Sequence, residues 1–295
     1  MDPVIAGTPS GERNQSWQGI LLVLGSAAAF STAGYFTRLI TVDAWSVLFW
    51  RGLFGGLFIA VYVIIKQGRR TLVAIRTIWP VGVLVAACST LGTICFINAL
   101  RRTTVADVTL INATAPFITA AIGRMFLGER ESKVTLAASG IALVGVLLTL
   151  DGAVANGHLL GDMLGLVMTI AIAVMMVLIR SHRRTPMLPA ASLSAFASAL
   201  LVLPLAHPEV PNAEQLVYLM LFGVTQFGLG LLLLTLGARL ISPTRAALLG
   251  NLEIPLAPAL VWVAFGEIPP MATCTGGALV MLAVLGDLLM GKAKA

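Results

Sequence analysis

Residues 112–129, NATAPFITAAIGRMFLGE, and residues 251–267, NLEIPLAPALVWVAFGE, pass through the same events in the same order: Asn, a Pro four positions on, an apolar stretch, and a closing Gly-Glu. The two stretches lie about 139 residues apart and need a single one-residue gap to align. A unit repeated at such an interval implies a fold built from two copies of one substructure. A proline inside a helix lacks an N–H and leaves the carbonyl four residues earlier without its partner, here those of Asn112 and Asn251. In hydrocarbon such backbone persists only where it is buried in protein or lines a wet cavity. Pro116, Pro255 and the nearby Pro258 are therefore read as helix breaks beside a central binding site between two halves.

The surrounding composition sets the solvent. Of the 295 residues 58% are hydrophobic and 11% charged, and the mean hydropathy is +0.95, whereas a soluble domain carries about 25% charged residues. The chain is expected to be an all-α polytopic membrane protein. Hydropathy places ten spans near Trp17–Arg38, Ala44–Lys66, Ile78–Leu100, Thr103–Leu127, Lys133–Leu150, Leu160–Ser181, Leu188–Ala206, Ala213–Arg239, Pro243–Phe265 and Pro269–Met290. Residues 1–16 read as a disordered cytoplasmic arm, 17–151 as a first five-helix repeat and 159–290 as a second. Cys88, Cys95 and Cys274 fall in apolar runs without metal-ligand spacing and are expected to be free, buried thiols.

Charge then sets direction. With the N-terminus inside, all but four of the 19 Lys and Arg residues fall on one face; the other face receives Arg38, Arg101 and Arg102, and Arg51 lies within a span. The positive-inside rule makes the basic face cytoplasmic and puts both termini there. The net charge of +6 forms no aromatic-laced basic stripe, so nucleic acid is not the expected partner. A five-span unit reverses direction when repeated, so Glu129 falls on one face and Glu267 on the other. A weaker match supports the same pairing: Gly19 and Arg38 bracket the first span with the spacing at which Gly161 and Arg180 bracket the sixth.

Ten spans in two inverted halves, with Gly128-Glu129 and Gly266-Glu267 after the fourth span of each, resemble the EamA-type branch of the drug/metabolite transporter superfamily. The resemblance covers about Trp17 to Met290. Length and pattern are similar to bacterial exporters of amino acids and metabolites, including the YddG group. The resemblance implies a secondary transporter without cofactor that moves a small solute by alternating access, and its motifs do not fix the substrate.

The site candidates are polar groups at membrane depth. Glu253 is a carboxylate about ten residues into the ninth span with no basic neighbour in sequence. An ionisable group there is costly unless it has a use, so it is read as the proton-coupling group or the partner of a substrate ammonium. The plainer reading is a protonated carboxyl bonded to carbonyls freed by the prolines. Thr114, its repeat-related position, carries no charge. Asn98, Asn112, Thr114, Gln226 and Asn251 form a neutral set that can bind a zwitterion or hold helices together. Tyr35 sits beside Ser31 and Thr32 on a small-residue helix and joins the candidate lining; Phe36, Phe96, Phe227 and Trp262 are weaker candidates for an apolar wall. Arg51 lies near the end of the second span, where it can snorkel to the interface, with carboxylate binding as the alternative. The Gly-Glu pairs are read as left-handed helix ends followed by an acid at the start of the next helix. Gly52-x-x-x-Gly56 and Gly161-x-x-x-Gly165 permit close helix approach, a feature common in bundles that identifies no dimer. The rival functions are an integral-membrane enzyme on lipid-like substrates and a passive channel. Enzyme chemistry usually needs paired carboxylates, a metal cluster or an activated nucleophile, and His158, His182 and His207 lie on separate connections.

Overall fold

The computed structural model describes residues 9–68, 79–100, 102–103, 105–149, 159–183, 185, 187–204 and 211–290. Every regular element among them is helical. The first span is α1 (Pro9–Ser31) continued by α2 (Ala33–Leu39), and the second is α3 (Ala44–Gln67). The third is α4 (Val81–Leu100), the fourth α5 (Val105–Ala113) with α6 (Ala115–Leu127), and the fifth α7 (Lys133–Thr149). The sixth is α8 (Leu159–Ser181) and the seventh α9 (Leu188–Val202). The eighth is α10 (Ala213–Leu221), a π-helical segment (Phe222–Leu229) and α11 (Gly230–Ala238). The ninth is α12 (Pro243–Gly250) with α13 (Glu253–Phe265), and the tenth is α14 (Met271–Met290). Seven stretches are long and apolar enough to cross a membrane, and the third, fifth and seventh spans supply three shorter apolar helices.

Local chemistry sets the ends. Asp43 accepts from the N–H groups of Trp45 and Ser46 at 2.9 and 3.1 Å and starts α3, Asn212 accepts from Gln215 N–H at 2.8 Å and starts α10, and Ser242 before Pro243 starts α12. In the first span Ser31 and Thr32 donate their hydroxyls back to Ala27 and Ala29 carbonyls, both at 2.7 Å, and the helix is interrupted there. α1 begins at Pro9, so the helix extends into the segment expected to be a disordered arm; residues 1–8 lie outside the described set.

Packing runs between the halves. The first span packs on the eighth, the third on the sixth, the second on the seventh, the fourth on the ninth and the fifth on the tenth. Exchanging each span for its repeat-related partner maps this set of contacts onto itself, the signature of a two-fold relation between halves. The halves run in opposite senses: Gly19, opening the first span, abuts Leu240 beyond the eighth, and Arg239 there bonds to Arg180 at the end of the sixth. The end of the sixth span thus lies on the face where the first span starts. That face, which also holds Glu131, Arg183 and Arg245, is called the basic face below, and the face of Arg38 and Glu267 the opposite face.

Small residues set the closest crossings. A Cβ on Gly52 would lie 2.9 Å from Ala195 O in α9, and one on Gly161 only 2.6 Å from Thr103 Cβ just beyond the third span. Gly55 of α3 meets Gly223 O at 2.8 Å and Phe227 Cδ1 at 2.9 Å by the same measure, while Gly228 meets Gly55 Cα at 3.2 Å. This backbone-to-backbone crossing brings Arg51, one turn earlier on α3, against the π-helical segment. Cys88 is half-buried and Cys95 buried, as free thiols, but Cys274 is exposed on α14 and departs from the expected burial, because an apolar run in a membrane helix also covers its lipid-facing side. Gly55→Ala should lower thermal stability in detergent by the equivalent of about 1–3 kcal/mol through overpacking. Gly123→Ala, where nothing lies within 4 Å of an added Cβ, should leave the melting temperature unchanged or slightly raised.

Candidate functional site

The breaks in the fourth and ninth spans fall at Thr114 and at Asn251–Leu252. Pro116 and Pro255 stand in the first turns of α6 and α13, where a missing N–H costs little, and Pro258 lies inside α13. The carbonyl of Asn251 is not left free, since Ile254 N–H donates to it at 3.0 Å in a tightened turn. The unpaired group is instead the side chain: Asn251 is 4% exposed and its Nδ2 has no partner among the described residues. At the other break Thr114 Oγ1 donates to Ile111 O at 2.6 Å, and Thr114 O accepts from Phe117 and Ile118 N–H at 3.0 and 3.3 Å.

A π-helical turn widens the backbone and is often found at functional positions. Here Phe222–Leu229 presents Gln226 and Phe227 to α3. Arg51 Nη1 donates to Gln226 Oε1 at 3.4 Å, and its guanidinium carbon lies 4.6 Å from the Phe227 ring centre and 5.8 Å from that of Phe222. Arg51 therefore turns inward onto two aromatic faces instead of snorkelling along its own helix. Its Nε is buried and has no partner among the described residues. Glu253, the first residue of α13, is half-buried beside the break of the ninth span. No ion pair at 4.0 Å or less joins them; among the described residues the ion pairs are Arg38–Glu267, Arg180–Glu129 and Arg245–Asp287. The Glu253 carboxyl makes no hydrogen bond to a described residue. Arg51 and Glu253, which belong to different halves, thus both keep hydrogen-bonding capacity in reserve among the described residues.

The other candidates are dispersed. Asn98 Nδ2 donates to Ile94 O at 2.9 Å on its own helix, and Asn112 is half-buried on α5 without a hydrogen bond to a described residue. Tyr35 sits near the opposite face, its ring 5.3 Å from Phe36 and 5.4 Å from Phe265. Phe36 and Phe227 are buried, Phe36 with its ring 5.2 Å from that of Phe222, whereas Phe96 and Trp262 are exposed. Gly128 and Gly266 are left-handed, with φ of 65° and 71°, and each following Glu pairs with an arginine of the other half.

Sequence reasoning passed over Asp287. Its side chain is fully buried, accepts from Arg245 Nε at 2.6 Å and Thr135 Oγ1 at 2.7 Å, and so joins the fifth, ninth and tenth spans. An acid in the last turn of an apolar helix was the available signal. Its partners Thr135 and Arg245 line a cavity of about 350 Å³ at the basic face, together with Arg180, Arg183, Glu131 and Ser242. A second cavity of about 290 Å³ lies among Tyr62, Lys66, Gln67 and Arg239. Asp287→Leu should cost about 3–5 kcal/mol by stranding Arg245, read as a large fall in melting temperature, with Asp287→Asn losing much less.

A helical membrane protein whose two inverted halves meet over broken spans has the architecture of a membrane transporter. The EamA-like transporter family matches residues 17–151 and again 159–288, and the chain belongs to it. No curated protein matches. A solved crystal structure of a protein superposes with a TM-score of 0.75 at 21% identity, over 97% of this chain and 100% of the other, a likeness of fold alone.

Proposed function

We propose that this protein exports amino acids or related small zwitterions across a bacterial inner membrane by alternating access. The observation that carries the reading is that Arg51 and Glu253, opposite charges on the second and ninth spans, form no ion pair with a described residue, and that Arg51 Nε is buried without a partner among those residues. A solute with a carboxylate and an ammonium supplies the missing partner to each. Its carboxylate meets the guanidinium that Gln226 and Phe227 hold in place, and its ammonium meets the Glu253 carboxyl. The unpaired Asn251 amide is a further donor beside the break. In this reading the basic face is cytoplasmic, residues 17–151 and 159–290 are the rocking units, and the site lies between them.

Glu253 also serves as the coupling group in this reading, because only a titratable side chain can link solute movement to a proton. In reconstituted vesicles, Glu253→Gln should keep solute exchange at equal pH and lose transport driven by a pH gradient if the carboxyl carries protons. If it binds the ammonium, exchange and solute-induced thermal stabilisation should both fall. Unchanged exchange, stabilisation and gradient response would remove Glu253 from the mechanism.

A further inference from the structure

Among the described residues one ion pair ties the two halves at each face, and the repeat relates the pairs. At the opposite face Arg38, in the last turn of α2, makes a two-pronged contact with Glu267: Nε to Oε1 and Nη2 to Oε2, both 2.9 Å. At the basic face Arg180, in the last turn of α8, donates Nε to Glu129 Oε1 at 3.3 Å and Nη1 to Arg239 O at 3.1 Å. In both places the arginine that closes the first span of one half holds the acid that follows the broken span of the other half. Gly128 and Gly266 supply the left-handed turn that ends α6 and α13 immediately before that acid.

What the pairs hold are the half-helices beyond the breaks. α6 starts after Thr114 and α13 after Asn251–Leu252, each with a proline in its first turn, so each can turn about its break as a unit. α13 has no buried residue, and apart from its neighbour α14 it packs mainly on α1 and α2, with Val261 against the Gly34 position. A half-exposed ion pair is weak in water, which suits a contact broken in every cycle. The side chains of Arg38 and Glu267 are 53% and 49% exposed, while those of Arg180 and Glu129 are 17% and 36%.

We propose that α13 and α6 are the gates of the two faces, hinged at the helix breaks, with Arg38–Glu267 and Arg180–Glu129 as latches that release one at a time. With both pairs formed, the structure is latched at both faces. A run of rings connects the first latch to the interior: Phe265, next to the Gly266-Glu267 turn, contacts Tyr35, Tyr35 contacts Phe36, Phe36 contacts Phe222, and Phe222 lies beside Arg51. Swinging α13 outward withdraws Phe265 from the end of that run. The arrangement stands whether or not the solute is an amino acid, since it concerns the gates and not the site.

Cysteine labelling tests it, in protein whose Cys88, Cys95 and Cys274 are replaced by Ala, with a membrane-impermeant maleimide applied to intact cells and to inverted vesicles. Val261→Cys reports on α13 and Thr119→Cys, at a fully buried position, on α6. Glu267→Gln should raise labelling of the Val261 reporter roughly two- to fivefold from the side of Arg38 and leave the Thr119 reporter unchanged. Glu129→Gln should do the reverse from the other side. Exchanging the charges, Arg38→Glu with Glu267→Arg, should restore parental labelling. Should the single variants fold poorly, an oxidised cysteine pair at positions 38 and 267 should stop solute exchange and a reductant should restart it. Equal loosening of both reporters, unchanged labelling, or free exchange with the disulfide closed would overturn the proposal.

Discussion

The contact between Arg51 and the π-helical segment is the interaction on which the interior depends. A charged side chain at membrane depth costs about 2.5–3.5 kcal/mol or more unless protein replaces the water it has lost. Gln226 and the faces of Phe222 and Phe227 supply part of that replacement. They reach Arg51 only because Gly55, Gly223 and Gly228 let two backbones cross almost in contact. The close crossing is thus a condition for placing a cation between the halves, and the unpaired Nε leaves its solvation incomplete.

The second condition is the inverted pairing of halves. Two cross-half contacts have counterparts at the other face: Gly19 against the residues beyond the eighth span matches Gly161 against those beyond the third, and Arg38–Glu267 matches Arg180–Glu129. The counterparts are not equal. One face has a two-pronged ion pair and a run of rings leading inward, while the other adds Glu131–Ser242 and the buried Asp287 cluster. Duplication supplied the frame, and divergence placed the single carboxylate of Glu253 in one half only.

Most of the frame was legible because it rests on local signals. Proline in apolar segments marks the breaks, Gly-Glu marks left-handed helix ends, and basic residues separate the faces. The Gly19/Arg38 and Gly161/Arg180 spacing, weak as a pattern, records actual contacts between halves. The site was less legible because its geometry is long-range: Arg51 and Gln226 are 175 positions apart, and nothing in FGVTQFGL announces a π-helical turn. Nor does sequence tell which partner a polar side chain takes. Thr114 and Asn98 bond to their own helices, Asn251 keeps its carbonyl paired and its amide free, and each Gly-Glu acid finds an arginine rather than the next helix.

The central claim is that Arg51 and Glu253 recognise the two charged groups of one solute. The most direct measurement is thermal stabilisation of the purified protein by each proteinogenic amino acid, beside its carboxamide and its N-acetyl derivative. The account predicts that at least one amino acid stabilises the protein and that both of its derivatives, each lacking one charge, fail to do so. Equal stabilisation by either derivative, or none by any amino acid, would contradict it.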